Sequence, residues 1–158
     1  MHDITHFISL DARRATTYLE EAMLYMFLRG FWQIKRDISY ERSKRARVEG
    51  YASFAEHAKA ELFYNEHGTL FLSGAEYTCS RTYLYRFGEQ ISIFFPENPP
   101  RLFMMLREQG KHFCGEHDCC QDRYMATYTL YHDHCFCIEY RVQGPKKAYE
   151  MKTLYWRA

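Results

Sequence analysis

The stretch Phe31–Ala55, FWQIKRDISYERSKRARVEGYASFA, contains two runs of alternating apolar and polar residues that a basic turn connects. In the first run Trp32, Ile34 and Arg36 share one side of an extended chain, and the residues between them face the other way. Such alternation is typical of a half-buried β-strand. The stretch therefore predicts an antiparallel hairpin whose inner face already carries a charged residue.

The remainder of the chain repeats this pattern. Seven further strands are predicted in AELFYNEHG, GAEYTCSRTYLYRF, QISIFFP, RLFMMLREQ, RYMATYTLYH, HCFCIEYRV and AYEMKTLYWR, with turn-like segments such as PENPP and VQGPKK between them. Strands with hairpin-sized connections indicate an antiparallel meander, and a meander that closes on itself has no exposed edge. We therefore predict a mostly β chain that forms a single antiparallel up-and-down barrel of eight or nine strands.

One helix is predicted before the barrel, at about residues 12–28. Apolar residues recur there at steps of three and four: Tyr18, Leu19, Ala22, Met23, Met26 and Phe27. Ser9 or Asp11 is available as the N-cap, and Gly30 can end the helix. Because 158 residues is the length of one domain, we assign 1–158 to a single domain, with the capping helix at about 12–28 and the barrel at about 30–157.

Composition and charge exclude several classes of protein. Lys and Arg total 21 against 20 acidic residues, so no net field attracts nucleic acid or an anionic membrane. No apolar run reaches about 18 residues, and the first residues lack the pattern of a secretion signal. We therefore expect a cytoplasmic chain with no membrane partner, whose six cysteines are reduced. The oligomeric state is left open.

Alternation along the other strands predicts a polar and aromatic interior. Arg81, Tyr83 and Tyr85 share one side of their strand, as do Leu62, Tyr64 and Glu66 of another. Cys135 and Cys137 fall on the outer face, opposite to their apolar neighbours. An interior with Arg, Glu and many Tyr hydroxyls is unlike the lining of a fatty-acid carrier. It predicts a barrel that holds one small polar or aromatic ligand.

Several segments together carry a resemblance to a known family. LRGFWQIKR, GYASF, LFYNEHG, SRTYLYRF, HDCCQDRY and VQGPKKAYEMKTLYWR stand in the order and spacing of a family of domains of unknown function. Its more specific motifs are His-x-Cys-x-x-Asp-x-Tyr, matched here by His117, Cys119, Asp122 and Tyr124, and Gly-Pro-x-Lys, matched by Gly144, Pro145 and Lys147. The chain resembles that family from about Leu28 to Arg157. The resemblance implies a calycin-like, lipocalin-resembling β-barrel and no particular reaction.

Gly30, Trp32 and Arg157 also resemble the signature of calycins. That resemblance implies that the tryptophan plugs the floor of the barrel and that the arginine packs over its indole by a cation–π contact. It further implies that the preceding helix closes one end of the barrel.

Two segments are rich in histidine and cysteine, GKHFCGEHDCCQDRY at 110–124 and YHDHCFC at 131–137. Zinc is one interpretation, because His-x-Cys occurs twice in the first segment and short-spaced pairs are typical of zinc ligands. However, alternation directs Cys135 and Cys137 outward and His117 and Cys119 inward, so these residues do not form a tetrahedral set. We therefore predict no metal and no cofactor, and interpret His117, Cys119, Asp122 and Tyr124 as part of a pocket wall.

Two other interpretations are weaker. A cysteine nucleophile needs a nearby histidine, and Cys119 near His117 meets that requirement only loosely. Nucleic acid could contact the basic turn through its phosphates. The side chains concerned are Arg42, Lys44, Arg45 and Arg47, with Tyr40 or Tyr51 available for stacking. Charges at a β-turn are usually solvated, so we expect no nucleic-acid partner.

The inward polar residues give the preferred hypothesis, a binding site for a small anionic or aromatic molecule. Its predicted residues are Arg36, Tyr64, Glu66, Arg81, Tyr83, His117, Asp122, Tyr124, Tyr128 and Lys147. An isomerase, cyclase or hydrolase is the alternative, with His117 or Asp122 as the acid–base and an arginine that stabilises developing negative charge. A structural or interaction protein is the third, in which the same charges form buried ion pairs inside a filled barrel.

Overall fold

Ten antiparallel strands form one closed barrel. The computed structural model describes residues 22–158, of which 22–28 are helical. The strands are β1 Gly30–Tyr40, β2 Lys44–Glu56, β3 Glu61–Leu72, β4 Ala75–Phe87, β5 Ile91–Phe95, β6 Arg101–Gln109, β7 His112–Cys119, β8 Asp122–His132, β9 Cys135–Gln143 and β10 Ala148–Trp156. Each strand pairs with the next, and β10 pairs with β1. The predicted single antiparallel barrel is confirmed.

The predicted count of eight or nine strands is wrong, because β7 was missed. This strand is the histidine- and cysteine-rich HFCGEHDC, which has neither the apolar alternation nor the β-branched residues of a strand. Its extended conformation follows from its neighbours, with Gly115 opposite Leu106 on β6 and Ala126 on β8. A Cβ at Gly115 would overlap the Met104 side chain. Gly115 therefore makes the strand harder to recognise in the sequence, and it also allows β7 to pack closely against its neighbours.

The helix before β1 contacts the barrel through a face that overlaps the predicted one at Phe27, which packs against Trp32 and Phe136. Leu24 and Leu28 are fully buried, whereas Met23 and Met26, which belong to the predicted apolar face, are exposed. The residues 22–28 are helical as predicted. Residues 12–21 of the predicted helix and both proposed N-caps lie outside the described residues.

The helical end of the barrel is closed by packed aromatic rings. Trp32 is buried, and its ring centroid lies 4.7 Å from that of Phe136 in an edge-to-face contact. The Arg157 guanidinium lies 3.8 Å from the indole centroid and donates hydrogen bonds to the carbonyls of Phe27 and Arg29. This is the packing that the calycin resemblance implied. The barrel therefore has one closed end, and its other end carries the β1–β2, β3–β4, β5–β6, β7–β8 and β9–β10 turns.

Candidate ligand site

A buried ion pair lies in the middle of the barrel. Arg36 and Glu66 are 4% and 3% exposed, and two guanidinium nitrogens of Arg36 donate to the Glu66 carboxylate at 3.0 and 2.9 Å. The third nitrogen, Nε, donates to Thr153 Oγ1 at 2.7 Å. Because every nitrogen of Arg36 donates to the protein, this arginine stabilises the barrel interior rather than presenting a free edge to a ligand.

Two tyrosines complete the hydrogen bonding of Glu66. The Tyr64 hydroxyl donates to Glu66 Oε2 at 2.8 Å and lies 2.9 Å from the Tyr155 hydroxyl. Since Tyr64 has one hydroxyl proton and gives it to Glu66, Tyr155 is the donor in the second bond. Burial raises the pKa of Tyr155 to about 12 and raises the pKa of Tyr64 well above its usual value. Both phenols are therefore neutral at neutral pH.

Arg81 connects this buried network to a cavity. Its Nε lies 3.3 Å from Glu66 Oε1, and its Nη2 donates to Met151 Sδ at 3.4 Å. Because Arg81 is on β4 and Met151 on β10, the side chain crosses the barrel interior. It is 32% exposed, and within residues 22–158 no hydrogen-bond partner contacts its Nη1. One edge of the guanidinium is thus available to a ligand.

The cavity has a volume of about 250 Å³ and opens at the end opposite to the helix. Its lining residues are Arg81, Tyr83, Phe95, Arg101, Phe103, His117, Cys119, Tyr124, Tyr140, Val142, Tyr149 and Met151. The His117 imidazole packs against the rings of Phe103 and Tyr124, with centroids 5.4 and 6.0 Å away. In the described part of the chain, neither the imidazole nor the Tyr83 hydroxyl has a hydrogen-bond partner. Four of the ten predicted ligand residues, Arg81, Tyr83, His117 and Tyr124, line this cavity.

Tyr128 lies deeper than predicted. It is completely buried, and its hydroxyl is 2.7 Å from that of Tyr85. Burial raises the pKa of both phenols well above the usual value. The two side chains belong to the packed closed half of the barrel. Tyr128 therefore lies between the closed end and the cavity and does not line the cavity.

Asp122 and Lys147 stand at the rim, outside the lining of the cavity. Lys147 Nζ lies 3.5 Å from Asp122 Oδ2, and the Asp122 carboxylate occupies the space where a side chain at Gly144 would lie. The sequence analysis placed Asp122 among the inward residues of the pocket wall. Asp122 instead pairs across the β9–β10 turn, because it is the first residue of β8 and the turn folds over it. Of the two acid–base candidates, only His117 faces the cavity.

Part of the wall was not predicted as ligand-binding. Phe95, Arg101 and Phe103 come from the β5–β6 pair, where the register shifts between Ile93 and Phe94. A bulge of this kind breaks the two-residue alternation on which the sequence argument depends. Tyr140 had the correct inward position in its strand, so alternation alone could have added it to the set.

The basic turn between β1 and β2 borders an open groove of about 340 Å³. Lys44 pairs there with Glu41 at 2.6 Å, and both side chains are mostly exposed. The Arg47 guanidinium packs over the Phe71 ring at 4.2 Å on the outer surface. These contacts are typical of a solvated hairpin. The barrel cavity is more enclosed than this groove and is therefore the preferred candidate site.

The histidine- and cysteine-rich segments do not converge. His117 and Cys119 line the cavity, whereas Cys137 is buried on the other face of the sheet, opposite Leu154. Among residues 22–158, no three His, Cys, Asp or Glu side chains are close enough together to hold a metal ion. The absence of a metal from the protein stays a prediction.

Among residues 22–158, no helical segment has the length and hydrophobicity of a membrane span.

Alkylation should separate the cysteines by burial. Burial raises the pKa of the Cys137 thiol and lowers its thiolate fraction, whereas Cys119 and Cys120 are exposed. We expect iodoacetamide at neutral pH to label Cys119 and Cys120 at least about ten times faster than Cys137, as followed by peptide mass spectrometry. The same protein in guanidinium chloride is the control, and there the rates should converge. Fast labelling of Cys137 in the folded chain would contradict this placement.

A family model described as a family of unknown function, DUF6314, matches residues 28–157. Among solved structures, the S-type phycobiliprotein lyase CPES from Guillardia theta has a TM-score of 0.66 at 6% identity, over 87% of this chain and 92% of that one. The redesigned β-barrel mFAP1, bound to DFHBI, has a TM-score of 0.46 at 12% identity, over 84% and 97%. No curated protein matches the chain. At 6% identity, the likeness to the lyase shows the fold alone.

Proposed function

We propose that this chain, which belongs to the DUF6314 family of unknown function, binds a small anionic or aromatic molecule in the open-end cavity of its barrel. One observation carries the proposal: Arg81 Nη1, the Tyr83 hydroxyl and the His117 imidazole line the cavity without hydrogen-bond partners among residues 22–158. Polar groups in protein interiors are nearly always paired. A few convergent polar groups in an otherwise aromatic cavity are typical of a small-molecule site.

The walls of the cavity favour an aromatic ligand. Tyr83 and Phe103 are stacked, with an interplanar angle of 18° and centroids 5.6 Å apart. Phe95 lies 4.9 Å from Phe103 in a tilted arrangement. These rings present both faces and edges to the cavity, and aromatic ligands bind such surfaces through offset stacking or edge-to-face contacts.

Binding is favoured over catalysis and over a purely structural role. An acid–base pair in one site would need a second group to orient or complement His117, and Asp122 pairs with Lys147 at the rim instead. A structural barrel would be filled throughout, whereas here the open end contains a cavity of about 250 Å³. The enzyme alternative keeps His117 as its acid–base, and turnover of a bound molecule would support it. The cytoplasmic location stays a prediction.

Ligand-observed NMR with a set of small aromatic acids, amides and alcohols tests the proposal. We expect saturable binding to the full chain and loss of at least about ten-fold in affinity for Val142→Phe, which fills the cavity from β9. Gln143→Phe is the matched control, because it adds the same ring on the outer face of the same strand. If no compound binds, or if Val142→Phe leaves every affinity unchanged, the cavity is not a ligand site.

A further inference from the structure

The charged side chains of the barrel interior do not balance. Arg36 and Arg81 are both positive, and both contact the single carboxylate of Glu66. Arg36 holds that carboxylate with two hydrogen bonds and is almost completely buried. Arg81 lies farther from it, with Nε 3.3 Å from Oε1. The excess positive charge is therefore located on Arg81, which is also the guanidinium that faces the cavity.

Within residues 22–158, no other interior group supplies the missing negative charge. Burial raises the pKa of Tyr140 above its usual value, and Tyr64 and Tyr155 behave in the same way. These phenols are neutral at neutral pH. At the mouth of the cavity, Arg101 pairs with Glu97 at 2.9 Å, so that pair neutralises itself. The Arg81 guanidinium thus gives the cavity one uncompensated positive charge.

The free edge of Arg81 has the shape that a carboxylate requires. Nε is directed to Glu66, which leaves Nη1 and Nη2 on the other edge of the planar group. Nη1 has no hydrogen-bond partner within residues 22–158, and Nη2 donates only to the Met151 thioether, a weak acceptor. A carboxylate can replace the thioether and accept from both nitrogens at once, in the two-bond geometry that arginine favours.

We propose that the cavity binds an aromatic monocarboxylate, with its carboxylate on the Nη1–Nη2 edge of Arg81 and its ring against Tyr83 and Phe103. This inference rests on the proposed binding function and specifies its ligand class. One negative charge balances the interior. A second carboxylate would enter the cavity without a matching cation, at the desolvation cost of an unpaired charge. A neutral amide of the same shape would keep the ring contacts but lose the charge-assisted bonds.

Three probes of similar size test the ligand class: benzoate, benzamide and phthalate. Dissociation constants for the full chain are measured by NMR titration at neutral pH. We expect benzoate to bind about 10- to 100-fold more tightly than benzamide, because only benzoate forms two charge-assisted hydrogen bonds with Arg81. We expect phthalate to bind no more tightly than benzoate. Tighter binding of phthalate would overturn the single-charge inference.

Variants of Arg81 identify the residue responsible. In Arg81→Gln, the preference for benzoate over benzamide should disappear. Arg81→Lys keeps the charge without the planar edge, so the preference should persist but weaken. The control is Arg86→Gln, on the outer side of the same strand, which pairs with Glu61 at 2.9 Å and should leave all three affinities unchanged. Circular dichroism checks that each variant is folded. An unchanged preference in a folded Arg81→Gln would overturn the inference.

The outcomes also separate this inference from the proposed function. If benzamide binds as tightly as benzoate and Val142→Phe blocks both, the cavity is a ligand site and only the inference about charge is wrong. If none of the aromatic probes binds, the proposed function fails and the inference fails with it.

Discussion

Replacement of Glu66 by alanine is expected to lower the free energy of unfolding by about 3–5 kcal/mol. Arg36 is 4% exposed and gives two of its hydrogen bonds to the Glu66 carboxylate. Without that carboxylate the guanidinium stays buried and has no acid to neutralise it, and Tyr64 loses the acceptor of its hydroxyl proton. Urea denaturation of the variant and the wild type measures the difference.

Two comparisons make the Glu66 result specific. Glu49→Ala removes an exposed carboxylate that lies 3.7 Å from Arg47 on the outer surface, and it should change stability by less than about 0.5 kcal/mol. The double variant Arg36→Met with Glu66→Leu removes the buried pair, so the part of the loss that comes from an unpaired Arg36 should return, while Arg81 still lacks its contact with Glu66. A loss below about 1 kcal/mol for Glu66→Ala would show that the ion pair contributes little to the fold.

The ion pair also changes what is expected of Arg81. Arg81 is the second cation in contact with Glu66. Because Glu66 keeps its two hydrogen bonds to Arg36, the acid is not stranded, and the stability loss for Arg81→Ala should be smaller than that for Glu66→Ala. The effect on ligand binding is the larger one, since the free guanidinium edge belongs to Arg81.

The second large effect is expected for Trp32→Ala, with a loss of about 3–5 kcal/mol. The indole is 1% exposed and forms an edge-to-face contact with Phe136. It also lies beneath the Arg157 guanidinium and donates a hydrogen bond from Nε1 to the Leu28 carbonyl at 2.8 Å. Truncation leaves a large cavity at the closed end and removes the contact that holds the helix. Urea denaturation measures the loss.

Trp156 provides a matched control for Trp32. It lies near the end of β10, opposite Gln33 on the outer side of the barrel, and is only partly buried. Trp156→Ala removes the same number of atoms but should cost less than half as much, because its surroundings are already solvated on one side. Equal losses for the two variants would contradict the assignment of Trp32 as the floor of the barrel.

Alternation of apolar and polar residues was enough to predict the meander and the faces of most strands. Strict alternation placed Trp32, Ile34 and Arg36 inside, and it placed Tyr64 and Glu66 inside on a strand about 30 residues later. These predictions succeed because side-chain direction in a strand depends only on position along the chain. Alternation failed in two places: in β7, whose residues are poor strand formers, and at the β5–β6 bulge.

Alternation does not predict which inward residues contact each other, because those contacts form only in the assembled barrel. Arg36 and Thr153 are hydrogen-bonded although 117 residues separate them in the chain, and that contact exists because β10 closes the barrel against β1. The register of the consecutive strands β1 to β4 sets Glu66 between two arginines, with Arg81 directly opposite it in the β3–β4 pair. Asp122 was predicted to face inward with the other residues of its motif, but it pairs with Lys147 at the rim. Its position depends on the adjacent turn and not on the face of a strand. Pairing across a barrel depends on register and closure, and these are properties of the assembled sheet that no single strand encodes.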